Sequence, residues 1–225
     1  LSSAVGSAGA VRSEEFVRAH TRVAATPYVP EVLLHQADEA IGLWERTEQA
    51  QGGARMPPPF WAFGWAGGQA LARHVLDHPE AVAGRTVLDL ASGSGLVAVA
   101  AALAGAATVT ASDIDRFAAA AVSLNAAVNG VRVAPRLGDL LDGDGDGAEV
   151  VLAGDVFYER PMAERVLPFL ERARDRGALV LVGDPGRAYL PRERFEAVSL
   201  HEVPVVADLE DRAVKATTVW RLTGR

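Results

Sequence analysis

Asp89, Gly93, Gly95 and Asp113 have the types and spacing to hold a nucleoside cofactor. They lie in Val87-Leu-Asp-Leu-Ala-Ser-Gly-Ser-Gly95, which reads as a buried strand ending in an acid and a glycine turn opening a helix. A second apolar strand then ends in Ser112-Asp-Ile-Asp115. Glycines let backbone approach a ligand at the strand's carboxyl end, and a carboxylate on the next strand can accept both ribose hydroxyls. Asp113 takes that ribose role, with Ile114 beside it, and Asp115 is the N-cap of the following helix. Two cofactors fit the loop. Gly93-Ser-Gly95-Leu-Val-Ala98 satisfies the dinucleotide pattern Gly-x-Gly-x-x-Gly/Ala. Asp89, Ala91, Gly93 and Gly95 instead match Asp-x-Gly-x-Gly-x-Gly, in which Ala91 and Ser92 belong to the turn. An acid just before the loop suits the ammonium and sulfonium of S-adenosylmethionine and would repel a pyrophosphate. S-adenosylmethionine is the favoured cofactor.

Further acids follow later strands. Asp139 and Leu140 come after the third, where the adenine would lie, although a plain turn aspartate fits Asp139 equally well. Gly154-Asp-Val-Phe-Tyr-Glu159 follows the fourth, at the edge where an open α/β sheet presents its chemistry. Methyl transfer to nitrogen requires that the methyl be held, water excluded and a neutral amine aimed. Asp155 can accept an amine N–H and orient it, with Phe157 and Tyr158 flanking the amine through cation–π contact and Glu159 nearby. A carboxylate also raises the pKa of a neighbouring lysine, so Asp155 does not by itself explain deprotonation. Trp61 and Trp65, in a stretch rich in glycine and proline, predict a lid. Trp65 would cover the cofactor and Trp61 would face the acceptor.

These residues need a scaffold, and the chain supplies one. From Arg85 it alternates strand and helix, the pattern of a parallel sheet covered on both faces. Strands are predicted at Thr86–Leu90, Thr108–Ser112, Arg132–Arg136, Glu149–Ala153 and Ala178–Gly183, with helices at Gly95–Ala104, Arg116–Asn129 and Met162–Arg176. Phe195–Val206 and Ala213–Leu222 predict a terminal β-hairpin across the acidic turn Asp208–Asp211, so the last strand runs antiparallel. The expected fold class is α/β, a Rossmann-like, seven-stranded, mostly parallel sheet over residues 85–225. Residues 1–84 are expected to form a helical extension and lid in the same domain. Its helices are placed at Ser13–Ala25, at Glu31–Gln49 on the period of Val32, Leu33, Ala37, Ala40, Ile41 and Trp44, and at Gln69–His78. Leu1–Val11 reads as a loose terminus and Gln51-Gly-Gly as a loop.

Composition narrows the function. The 225 residues carry a net charge of −7, which argues against a nucleic-acid surface and is compatible with a basic protein segment as partner. No apolar run approaches a membrane span, so no membrane partner is expected. The chain has no cysteine, which excludes disulfides, thiolate metal sites and cysteine nucleophiles and fits a cytoplasmic setting. No metal is expected. Asp142-Gly-Asp-Gly-Asp-Gly147 starts like a calcium loop but has Ala153 where a bidentate glutamate is needed, and His74 and His78 lack a third ligand.

Six segments occur in this order: Phe60-Trp-Ala-Phe-Gly-Trp-Ala-Gly-Gly-Gln-Ala-Leu71, Asp89–Gly95, Ser112–Asp115, Leu124-Asn-Ala-Ala-Val-Asn129, Gly154–Tyr158 and Gly183-Asp-Pro-Gly-Arg187. Together they resemble the seven-β-strand protein-lysine methyltransferases, the family of the electron transfer flavoprotein β-subunit lysine methyltransferase and its bacterial relatives. The resemblance runs from about Pro30 to Trp220. It implies that Trp65, the Ala91–Gly93 turn, Asp113 and Gly154 contact the cofactor, that Asp155 and Tyr158 line the lysine entrance, and that Asp184 and Arg187 shape the rim. It implies a protein partner bearing an exposed lysine, either the flavoprotein subunit or a ribosomal protein. A small-molecule amine acceptor and a non-catalytic cofactor-binding module are the alternatives. Ala91 departs from the family loop, placing a methyl where glycine is usual.

Overall fold

The computed structural model describes residues 12–50, 57–205 and 213–224. The expected loose terminus, the loop at Gln51-Gly-Gly and the acidic turn Asp208–Asp211 lie outside the described residues. A helix over 12–20 (α1) leads into two antiparallel strands, Arg22–Thr26 (β1) and Val29–Gln36 (β2). This hairpin corrects the prediction of helices through Ala25 and from Glu31. The second helix (α2) is confined to Ala40–Ala50. The reason is tertiary. Asn129 accepts the Leu33 N–H and donates to the Leu33 carbonyl, while Asn125 accepts the His35 N–H. Two asparagines thus pair with strand backbone that a local helix would have kept for itself.

The main sheet is built as expected. Thr86–Leu90 (β3), Thr108–Asp113 (β4), Ala134–Leu137 (β5), Val150–Gly154 (β6) and Leu179–Asp184 (β7) are parallel, and Phe195–Pro204 (β8) and Val214–Leu222 (β9) complete it in the order β5-β4-β3-β6-β7-β9-β8. The last strand inserts antiparallel between β7 and β8. Val87, Leu88, Leu90, Val150, Val151, Leu152 and Ala153 are buried, as the central strands of a doubly covered sheet must be. Ala66–Asp77 (α3), Leu96–Leu103 (α4), Arg116–Val128 (α5) and Arg160–Asp175 (α6) cover the faces. Among the described residues no helix is long and apolar enough to cross a membrane.

One packing feature positions the site. An added Cβ on Gly183 would stand 2.0 Å from the Gly67 carbonyl oxygen, and one on Gly154 would stand 2.9 Å from Gly68 Cα. The first turn of α3 therefore rests directly on the carboxyl ends of β6 and β7, at a distance only glycine allows.

Candidate active site

The strand order reverses at β3, with β4 on one side and β6 on the other. Loops leaving adjacent strands in opposite directions open a crevice there. The turn after β3 carries positive φ at Ala91 (52°), Gly93 (52°) and Gly95 (76°). Gly95 is required twice over, because a Cβ there would also meet Val122 Cγ2 at 2.9 Å. Asp89 is buried on β3 and accepts the Ala98 N–H, capping α4 from outside because Gly95 has no side chain to do so. Burial, with nearby Asp113 adding to it, pushes the Asp89 carboxyl up to about 8. Asp113 accepts the Gly93 N–H at 2.9 Å and the Asp115 N–H at 2.9 Å, and burial raises its pKa as well. Asp115 caps α5 by accepting the Phe117 N–H.

Beyond the loop, Ile114 is 75% exposed. Leu140 is half-buried, and Asp139 is an exposed turn residue accepting from the Leu141 N–H and Arg165, which lowers its pKa. The turn geometry weighed for Asp139 is therefore present. The false calcium loop spends its carboxylates on arginines: Asp142 on Arg165, Asp144 on Arg176 and Asp146 on Arg136.

On the other side of the reversal, Asp155 follows β6 with φ 55°. Its Oδ2 accepts the Gly68 N–H at 3.0 Å in the first turn of α3, and its Oδ1 accepts from Arg187 Nη2 at 2.9 Å. Arg187 is aimed by the turn that precedes it, since Asp184 Oδ1 accepts both the Gly186 and Arg187 N–H groups at 2.7 Å. Asp184 is buried, and burial, reinforced by Asp155, raises its pKa to about 6. Tyr158 is 40% exposed. Burial, then Glu159 and Asp113, raise its pKa, so the phenol is neutral near pH 7. Glu159 is exposed at the N-cap of α6 without capping it through its side chain.

Two expected site residues are elsewhere. Trp61 is 1% exposed, packed on Phe117 beneath α5, and Phe157 is fully buried with its ring 5.9 Å from that of Phe195. Both are withdrawn from the surface. Both are large apolar side chains on segments that cross the core, and burial is their lowest-energy disposition. Trp65 is half-buried at the N-cap of α3, its indole donating to the Phe60 carbonyl.

Phe60 was not singled out from sequence, yet it joins the two sides. Its ring packs on Trp65 (5.7 Å) and on Tyr158 (5.4 Å), and its carbonyl oxygen lies 3.7 Å from where a Gly93 Cβ would be. Its sequence signal is its place at the head of the tryptophan-containing segment that carries the family resemblance. A hollow of about 360 Å³ around Arg85, Glu149 and Arg176 lies at the opposite ends of the strands, where an open sheet does not place its chemistry.

The loop fits a cationic nucleoside. Ser92 Oγ is buried without a hydrogen-bond partner beside the glycine turn, and two carboxyl groups there have raised pKa values that a positive ligand would relieve.

A family profile described as ribosomal protein L11 methyltransferase (PrmA) matches residues 69–154. The electron transfer flavoprotein beta subunit lysine methyltransferase of Xenopus laevis is 37% identical over 211 residues, covering 91% of this chain and 85% of that protein. The Danio rerio protein of the same name is 39% identical over 171 residues, covering 73% of this chain and 66% of that protein, just under two thirds of its length. Among solved structures, magnesium protoporphyrin IX methyltransferase from Synechocystis PCC 6803 matches with TM-score 0.52 at 17% identity, covering 70% of this chain and 80% of that one. A ribosomal protein L11 methylase from Lactobacillus delbrueckii subsp. bulgaricus matches at 0.50 and 23%, covering 70% and 79%. At those identities the structural likeness is one of fold.

Proposed function

We infer the activity from a premise the relatives establish: the chain belongs to the electron transfer flavoprotein beta subunit lysine methyltransferase family. It is an S-adenosylmethionine-dependent methyltransferase acting on lysine side chains of a protein. The observation that carries this reading is Phe60, which ties the glycine turn to the Asp155–Tyr158 loop and so makes one crevice of the two.

When bound, S-adenosylmethionine supplies a methyl group on positive sulfur. The chain supplies position and charge. Asp113, held by the Gly93 amide, would accept from the ribose hydroxyls, and Ser92 Oγ beside it has a hydrogen-bonding capacity to offer. Ile114 offers an apolar surface for the base. Asp155, which takes the Gly68 N–H and the Arg187 guanidinium, would also accept an N–H from the incoming amine. Tyr158 and Phe60 wall the approach and exclude water.

The electron transfer flavoprotein beta subunit is the first substrate to test, because relatives of that name match over more of the chain than the ribosomal ones. A cytoplasmic setting, and independence from nucleic acid, are parts of the same proposal and rest on composition. The test is transfer of isotopically labelled methyl to the recombinant beta subunit and to ribosomal protein L11, followed by total hydrolysis. Labelled methyl-lysine from either protein is expected. Label appearing only in small amines of an added extract overturns the reading.

A further inference from the structure

We propose that Arg187 is a positioning residue for this transfer: by pairing with Asp155 it lets that carboxylate hold the acceptor lysine's N–H while withholding the negative charge that would keep the lysine protonated. The proposal rests on the lysine reading above and addresses a difficulty within it. Lysine's ordinary pKa is about 10.4, and an isolated carboxylate beside it raises that value. An enzyme that must aim a neutral lone pair therefore gains little from a bare aspartate.

The structure does not present a bare aspartate. Asp155 Oδ1 is 2.9 Å from Arg187 Nη2, the two side chains being 12% and 22% exposed. Its Oδ2 takes the Gly68 N–H in the first turn of α3, where the helix dipole is also positive. Arg187 keeps its charge at every working pH, so the neutralisation does not titrate away. Other charged and titratable groups among the described residues stand around the pair. Asp184 lies beneath Arg187, clamped by the Gly186 and Arg187 amides. Tyr158 and Glu159 stand on the loop to α6, Asp113 reaches from β4, and Arg160 is engaged over the Tyr189 ring. Removing Arg187 would take the guanidinium from Asp155 Oδ1 beside a second acid, Asp184.

Before transfer the lysine ammonium loses one proton to solvent. The amine lone pair then forms the C–N bond as the methyl–sulfur bond breaks, and that bonding pair stays on sulfur. Arg187 acts on the first of these events, so the pH dependence of kcat, which reports the enzyme–substrate complex, is the proper readout.

R187Q removes the charge and keeps a hydrogen-bonding group, whereas R187K keeps the charge and loses the fork. The expected result is that the acidic limb of the kcat profile moves up by about one pH unit in R187Q, with kcat recovering at high pH, and stays in place in R187K. Calorimetry with S-adenosylhomocysteine should give the same affinity for all three proteins. A uniform fall in kcat at every pH in both variants, or an unmoved limb in R187Q, overturns the role of Arg187 and leaves the lysine reading intact. Failure of the unaltered protein to produce methyl-lysine, despite normal cofactor binding, overturns the lysine reading and this role with it.

Discussion

The two halves of the crevice treat negative charge in opposite ways. On the β3–β4 side, the partners of Asp89 and Asp113 among the described residues are backbone amides, from Ala98, Gly93, Ile114 and Asp115. On the β6–β7 side, Asp155 is met by an amide and by a guanidinium. The difference follows from what each half has to hold. A sulfonium cofactor brings a permanent positive charge, which uncompensated acids attract. An acceptor amine must be uncharged when it reacts, and an uncompensated acid would oppose that. Among the described residues no cation is paired with Asp89 or Asp113, while Asp155 has Arg187.

Exchanging the two aspartates' fates breaks this division most directly. Asp155→Asn keeps the shape but orients the amine poorly and leaves Arg187 without its carboxylate. It should lower kcat on the order of 100-fold, with cofactor affinity unchanged by calorimetry. Asp113→Ala should do the reverse. Loss of hydrogen bonds to a charged group weakens cofactor binding by about 10- to 100-fold, while kcat at saturating cofactor falls much less. Equal damage to both parameters in both variants would dissolve the distinction.

Backbone packing offers a second contrast. Gly183→Ala drives a methyl to within 2.0 Å of the Gly67 carbonyl and should destabilise the fold by about 3 kcal/mol or more. Gly93 has room for a methyl, which would meet its nearest neighbour, the Phe60 carbonyl, at 3.7 Å in ordinary contact. Gly93→Ala should cost about 1 to 2 kcal/mol, from its positive φ alone. Denaturant midpoints measured on both variants would rank them. At Gly183 the packing of α3 leaves no room for a side chain, whereas at Gly93 the backbone angle is what resists one.

Much of this division was legible before the structure. The apolar strand, glycine turn and spaced acids identify the cofactor half because the turn is continuous in sequence and Asp113 follows at the spacing of one strand–helix–strand repeat, although its bond to the Gly93 N–H spans 20 residues. Asp155 and Arg187 were legible as separate motifs but not as a pair, since their contact joins turns 32 residues apart. Trp61 and Phe157 were misplaced for a related reason. Flanking glycines and prolines suggested an exposed loop for Trp61, yet the face opposite it, including Phe117 and Leu43, was unknown. The β1–β2 hairpin was hidden because Val32, Leu33 and Ala37 satisfy a helical period as well. Only the asparagines of α5, about ninety residues onward, decide between them.

Proton linkage separates the halves more finely. An unfolded Asp89 gives up its proton near pH 4, whereas the folded one keeps it to about 8. The folded state therefore binds more protons across that window, and its stability in the absence of cofactor should decline as pH rises from about 4 to about 8. A sulfonium nearby favours the ionised form, so binding of S-adenosylmethionine near neutral pH should release protons. S-adenosylhomocysteine, with neutral sulfur, should release fewer. Calorimetry in buffers of different ionisation enthalpy measures both. The preference for the charged ligand should grow by up to about tenfold between pH 6 and 8. A preference that stays flat over that range would mean the cofactor half is compensated in some other way.

The smallest effect concerns backbone strain that the halves share. Ala91 after β3 and Asp155 after β6 are both non-glycine residues in the left-handed region, at 52° and 55°. An alanine there costs about 1 to 2 kcal/mol relative to an unstrained conformation, and a glycine returns part of that through the greater freedom of the unfolded chain, about 0.5 to 1 kcal/mol. Ala91→Gly should thus raise stability by a few tenths to about 1 kcal/mol, seen as a small upward shift in Tm, with catalysis intact. Asp155→Gly relieves similar strain but removes the Gly68 and Arg187 contacts, so any stability gained there should come with lost activity. Strain at Ala91 places only a small methyl at the edge of the core, whereas strain at Asp155 is the geometry that presents a carboxylate to α3 and to Arg187 together.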